Sequence, residues 1–221
     1  MAWESNLLPL RLPATRQANE VESRNMRIFL IGVACVGKTT IGANLADLLG
    51  YKFFDLDHEI EAFFGTSIER LQNQHLTSYS FRAEASQALR HLLARKDSAN
   101  SVTALPPSGL MDNYWKVIKK TPQSAIVVLQ DTPQNILKRI TFYDIDSRQI
   151  QRELTDRDKF LYLEEIRRDI AYYRRSYKRA HIVVDIAGWS PGEASLSIKD
   201  LLMRAPGPLH RTGAQGCTAL L

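Results

Sequence analysis

Gly32-Val-Ala-Cys-Val-Gly37-Lys38-Thr39-Thr40 is the stretch from which the rest of the chain can be read. It matches the phosphate loop G-x-x-x-x-G-K-[ST]. Immediately before it, Arg27-Ile-Phe-Leu-Ile reads as a short buried strand. Immediately after it, Thr39 to Leu49 reads as a helix with Ile41, Leu45 and Leu48 on one stripe, and Gly50 stands just past its end. The bland alternative is a coincidental glycine turn before a helix, against which the intact Gly37-Lys38-Thr39 and both flanking elements argue. Backbone N–H groups of the turn would cradle a β-phosphate, Lys38 would reach the β- and γ-phosphates, and the Thr39 hydroxyl would ligate Mg²⁺. Gly32, Val36, Gly37, Lys38, Thr39 and Thr40 are therefore the candidate contacts to a nucleoside triphosphate.

The chain has 221 residues, 44% of them apolar, which suits one medium α/β domain over 26–204. Residues 1–25 lack periodicity and read as a flexible lead-in, and the proline- and glycine-bearing stretch 205–221 reads as a disordered tail. A net charge of +5 fits polyphosphates or acidic metabolites without calling for a nucleic acid. Cys35 and Cys217 form neither a disulfide framework nor a metal-ligand spacing, and the five histidines are scattered singly. No run of 18 apolar residues and no basic-then-apolar start occur, so a soluble, cytoplasmic protein with no membrane partner is expected. A monomer is the default.

Tyr51-Lys-Phe-Phe-Asp55-Leu-Asp57 reads as a second strand ending in two carboxylates. Positions i and i+2 of an extended chain share a face, so Asp55 and Asp57 would both look toward the phosphate loop. One would serve Mg²⁺ through water and the other would orient or deprotonate a hydroxyl, unless Asp57 simply caps a helix from His58. That helix stops at Gly65, and Thr66 to Glu69 reads as a capping box for the next one. Ser78 to Ala94 is a longer helix on which Arg82 either clamps a substrate carboxylate or makes an ordinary ion pair. Val102 to Leu105 reads as a third strand. Pro106-Pro-Ser-Gly109 then follows at its carboxyl end, where open α/β sheets bind ligands. The prolines have no N–H to offer, which makes Ser108 and Gly109 the candidate contacts there.

Met111 to Lys120 reads as helix, with Trp115 and Ile118 packing inward. Ala125 to Leu129 reads as a central parallel strand. Thr132 and Pro133 open a further helix, late in which lies Arg139, able to stack on a base. The polar stretch 142–159 carries Arg148, Arg152 and Arg157 and has the make-up of a mobile lid, or equally of an exposed loop. Phe160, Leu163, Ile166, Ile170, Tyr173 and Tyr177 mark a long amphipathic helix. His181 to Asp185 is the last strand, and Ser190-Pro-Gly-Glu193 caps the terminal helix.

Taken together these residues resemble the shikimate kinase family. The likeness is carried by Gly32 to Thr40, by Phe54-Asp55-Leu-Asp57 with Glu59-Ile-Glu61 and Gly65-Thr-Ser-Ile68, and by Phe81-Arg82 with Glu84. The resemblance implies a three-layer P-loop kinase fold, its five-stranded parallel sheet in the order 2-3-1-4-5. It also implies ATP with Mg²⁺ and a place in aromatic amino acid biosynthesis. Thr39 and Asp55 would then serve the metal, and Lys38 and Asp57 would be catalytic together with a lid arginine. Arg152 or Arg148 would be that lid arginine, with Arg148 otherwise touching the nucleotide. Arg139 would pack on adenine, Arg82 would hold the acceptor carboxylate, and Arg168, spaced four before Tyr172, would bind acceptor in competition with Arg174 and Arg175.

Two departures stand out. The family has three consecutive glycines where this chain has Pro106-Pro-Ser108, and the lid signature of arginine with Pro-Leu-Leu is absent. The expected activity is ATP-dependent phosphorylation of a small carboxylated polyol, shikimate foremost. The alternatives are a kinase for another metabolite and a non-catalytic ATP-binding module.

Overall fold

The computed structural model describes residues 25–204, so the expected tail and nearly all of the lead-in lie outside the described residues. β1 (Arg27–Ile31) and β4 (Ser124–Gln130) are buried along almost their whole lengths, because the helices of a parallel sheet cover both faces. With β2 (Lys52–Asp55), β3 (Ser101–Ala104) and β7 (Ile182–Asp185) they form one five-stranded sheet in the order β2-β3-β1-β4-β7. All four pairings are parallel. This is the expected 2-3-1-4-5 order. The last strand is numbered seventh because β5 (Phe142–Tyr143) and β6 (Gln149–Ile150) form a separate antiparallel ribbon.

The first helix, α1 (Lys38–Leu49), starts from Gly37 at φ 108° and ends at Gly50 at φ 67°, both conformations that favour glycine. It packs on α8 (Pro191–Arg204), where the Ser195 hydroxyl donates to the Ile41 carbonyl at 3.1 Å. Right-handed crossovers put the helices between β2 and β7 on the opposite face. These are α2 (Leu56–Phe64), α3 (Ile68–Asn73), α4 (Ser78–Ala94), α5 (Asp112–Ile118), α6 (Pro133–Leu137) and α7 (Asp156–Tyr177).

Several boundaries differ from the sequence expectation, each for a local reason. β2 ends at Asp55, whose carboxylate accepts the Asp57 N–H at 3.1 Å and so caps α2; Asp57 is a first-turn residue, neither extended nor the cap. Ser67, not Thr66, caps α3, because the Glu61 carboxylate already takes the Ile68 N–H. α6 has only five residues, so Arg139 lies just beyond it. Helix α7 begins at Asp156, ahead of Phe160, because Thr155 and Asp158 form a reciprocal capping box; this shortens the stretch expected to be a lid to 142–155 and leaves Phe160 exposed. In α5 the buried residues are Tyr114 and Ile118, one turn apart, while Trp115 is half-buried under the Arg179 guanidinium.

Candidate active site

The phosphate loop leaves β1 and turns under β4. A Cβ on Gly32 would lie 2.7 Å from the Leu129 carbonyl oxygen, so only glycine lets the loop approach that strand. The Lys38 ammonium donates to the carbonyls of Gly32 and Val33 at 3.0 and 2.9 Å, which holds it across the mouth of the loop. Burial lowers its pKa, against the pull of Asp57, Asp55 and Cys35. The Thr39 hydroxyl donates to Asp55 Oδ2 at 2.7 Å, joining the start of α1 to the end of β2. Thr39 and Thr40 are exposed at the first turn of α1, and Val36 is buried beneath the loop.

Asp57 completes this cluster. Its Oδ1 is buried and accepts no hydrogen bond. Burial, reinforced by the neighbouring Asp55, raises its pKa from 3.8 to about 6, although Lys38 pulls the other way. A carboxylate buried without a partner next to a lysine is an arrangement that binding a proton donor or a cation would relieve. The donor set fits a hard divalent ion, since the Thr39 hydroxyl and the Asp55 carboxylate are both oxygen ligands within hydrogen-bonding reach of each other. Among the described residues no group of three or more His, Cys, Asp or Glu could hold a metal by itself. Mg²⁺ is a hard ion that takes few protein ligands and completes its shell with phosphate and water.

On the nucleotide side, the Arg139 guanidinium donates to the Cys35 carbonyl at 3.1 Å and to Asp131 at 2.5 Å. Burial pushes the Asp131 carboxyl upward, but hydrogen bonds from Arg139, Asn135 and the Thr132 N–H outweigh it and leave its pKa below the ordinary value. Arg139 therefore bridges the end of β4 and the phosphate loop. Asp131 was not anticipated, and the one signal for it was its position at the carboxyl end of a buried strand.

On the side expected to hold the acceptor, Arg82 of α4 pairs with Asp112 through contacts of 2.8 and 2.7 Å. The Tyr114 ring is fully buried, its hydroxyl accepts and donates nothing, and it lies near enough to Asp57 and Arg82 for both to act on its ionisation. Tyr114 was also missed, although its spacing to Ile118 would have placed it inward in preference to Trp115. The proline turn is rigid and largely spent. Gly109 is buried, its N–H goes to the Pro106 carbonyl at 2.8 Å, and a Cβ there would meet Leu105 at 2.7 Å. Gly109 is thus a packing residue and not a ligand contact. Ser108 stays half-exposed, and the Tyr177 hydroxyl donates to the Pro107 carbonyl at 3.2 Å.

Helix α7 does not bring Arg168 to this wall. Arg168 is exposed, with its Nε donating to the Glu164 carbonyl of its own helix, and Tyr172 is exposed as well. The half-buried ring one position further on, Tyr173, stacks on Tyr177 and lies within electrostatic reach of Arg82. An amphipathic helix turns one stripe inward, and this stripe carries tyrosines where the arginine was expected.

The lid ribbon is docked on α2 and α3. Ser67 Oγ donates to the Ile145 carbonyl at 2.5 Å, Arg70 pairs with Asp146 at 2.8 Å, and the single proton of Ser147 Oγ is shared between the Glu69 carboxylate, at 2.6 Å, and that of Glu61. Arg152 lies at the lid base over the Phe142 ring, in contact with Tyr162 and Asp158. Arg148 is exposed at the ribbon turn.

A family model described as shikimate kinase matches residues 34–200. A shikimate kinase from Chlorobium limicola is 33% identical over 115 residues, covering 51% of this chain and 54% of that protein. One from Acinetobacter baumannii is 29% identical over 154 residues, covering 66% of this chain and 79% of that protein. The matched stretch spans about half the length of the Chlorobium relative and 32% of a bifunctional shikimate kinase/3-dehydroquinate synthase from Thermotoga maritima. Among solved structures, a shikimate kinase from Bacteroides thetaiotaomicron superposes with a TM-score of 0.65 at 21% identity, covering 80% of this chain and 98% of that chain. The Acinetobacter baumannii shikimate kinase in complex with shikimate gives 0.60 at 24% identity, covering 80% and 92%. Both structural likenesses establish the same fold.

Proposed function

This chain belongs to the shikimate kinase family, and we propose that it transfers the γ-phosphoryl group of ATP to a hydroxyl of shikimate. The observation that carries the reading is Asp57, half-buried with its Oδ1 enclosed and without a hydrogen bond, within electrostatic reach of Lys38 and of the Thr39–Asp55 pair. Lys38 is the cation for the β- and γ-phosphates, and releasing its two carbonyl contacts frees it to follow the transferring group. Asp57 orients the acceptor hydroxyl and takes its proton as the oxygen attacks. Mg²⁺, held by Thr39 with Asp55 acting through water, would neutralise phosphate charge when bound. Arg139 lies against adenine, Ser108 borders the acceptor, and Arg82 answers the acceptor carboxylate. Arg152, or else Arg148, brings a cation over the phosphates when the lid shuts and water is excluded. Arg168 has no part in the site.

The test is ADP release by purified protein with Mg²⁺ and ATP, with and without shikimate. Shikimate-dependent release that falls at least a hundredfold in Lys38→Ala is expected. Release that ignores shikimate, or survives the substitution, would overturn the reading.

A further inference from the structure

Arg82 is the cation on the acceptor wall, and its guanidinium is already engaged by a carboxylate of the chain itself. Asp112 reaches it from the first residue of α5, with both the Nε and the Nη2 contacts falling on one oxygen. The arginine side chain is only 12% exposed, so the pair is sheltered on that side, whereas Asp112 is 30% exposed and open to water. Asp112 adopts φ 45°, a left-handed conformation that aspartate tolerates better than most residues, and this backbone turn aims its carboxylate back at α4. Tyr114, two residues on, is within electrostatic reach of Arg82 and of Asp57 alike.

We infer that Asp112 is a specificity-determining residue: it stands in for the acceptor's carboxylate on Arg82 and must be displaced when a carboxylated acceptor binds. The inference rests on the phosphoryl-transfer reading above. A bidentate arginine site exchanges one carboxylate for another with little net gain, because the charge-assisted hydrogen bonds made to the ligand replace those lost from Asp112. The carboxylate of the acceptor then adds little affinity, and the more exposed Asp112 is the partner that leaves. The Pro106–Pro107 turn sharpens this effect. Its two prolines supply no N–H groups and the Gly109 N–H is committed to Pro106, which leaves Ser108 as the residue of that turn with an N–H to offer and little to compensate.

The test compares Michaelis constants for shikimate and for its methyl ester in the unmodified protein and in Asp112→Asn and Asp112→Ser. In the unmodified protein the two acceptors should differ in KM by less than about threefold. Removing the internal charge should lower KM for shikimate about tenfold while leaving that for the ester within twofold, with kcat and KM for ATP little changed. A purely structural ion pair would instead lower the melting temperature and raise KM for both acceptors. Three results would overturn the inference alone: a KM for shikimate that is unchanged or higher in a folded variant, a parallel fall for both acceptors, or a hundredfold preference for shikimate over its ester in the unmodified protein. Absence of shikimate turnover in all three proteins would overturn the functional reading and this inference with it.

Discussion

At the scale of single residues, Asp57 would join the energetics of the fold to those of the proposed transfer. Its carboxyl is shifted from 3.8 up to about 6, first by burial and then by Asp55. A raised carboxyl pKa means that the folded protein binds the proton more tightly than the unfolded chain. Stability is therefore lost as pH rises from about 4 to about 6 and stays at the lower level above that. Asp57→Asn removes the charge and should be more stable than the unmodified protein at pH 8, by on the order of 3 kcal/mol. The difference in melting temperature should vanish by about pH 4, while transfer activity is lost at every pH. The residues of the phosphate loop were legible because their chemistry is contiguous in sequence. Asp112 was not, since its partner Arg82 lies 30 residues away and the pairing exists only once α4 and α5 are packed together. Arg168 misled because spacing along a helix does not by itself say which stripe turns inward.

At the scale of elements, the proposed lid is a short ribbon held at its tip. Three of its turn residues, Ile145, Asp146 and Ser147, contact Ser67, Arg70, Glu69 and Glu61. The Arg70–Asp146 pair is exposed on both sides, so it contributes little to global stability, under about 1 kcal/mol. Asp146→Ala should accordingly leave the melting temperature within about 2 °C. Hydrogen exchange over 142–150 should quicken, and ATP hydrolysis without acceptor should rise relative to transfer; unchanged exchange there would mean the latch holds nothing. The helix starts at Thr132-Pro133 and Ser190-Pro191 and the ends at Gly50 and Gly65 were legible in the sequence because caps are local chemistry, whereas the caps at Ser67 and Thr155 were not read. The ribbon was not, because two-residue strands carry no usable periodicity and their docking depends on side chains some eighty positions away in sequence.

At the scale of the whole molecule, the parallel sheet and its helical layers follow from alternation of strand and helix, and the strand order came through the resemblance. No helix among the described residues is long and apolar enough to cross a membrane. The sheet is assembled out of sequence order, since Arg27 of the central strand pairs with Ser101 on one side and Ser124 on the other. Such long-range parallel pairing is slow to form. The phosphate loop depends on that pairing, because Gly32 rests on the Leu129 carbonyl and Arg139 clasps the carbonyl of Cys35. A chain emerging from the ribosome would carry the complete loop early yet be unable to capture ATP until β4 and Arg139 had followed and docked. A fluorescent ATP analogue added during refolding should then be retained only with the last kinetic phase, and a chain truncated after Lys120 should retain none. Nucleotide capture would thus serve as a clock for the completion of synthesis and folding, set by residues a hundred positions downstream of the loop that holds the phosphates.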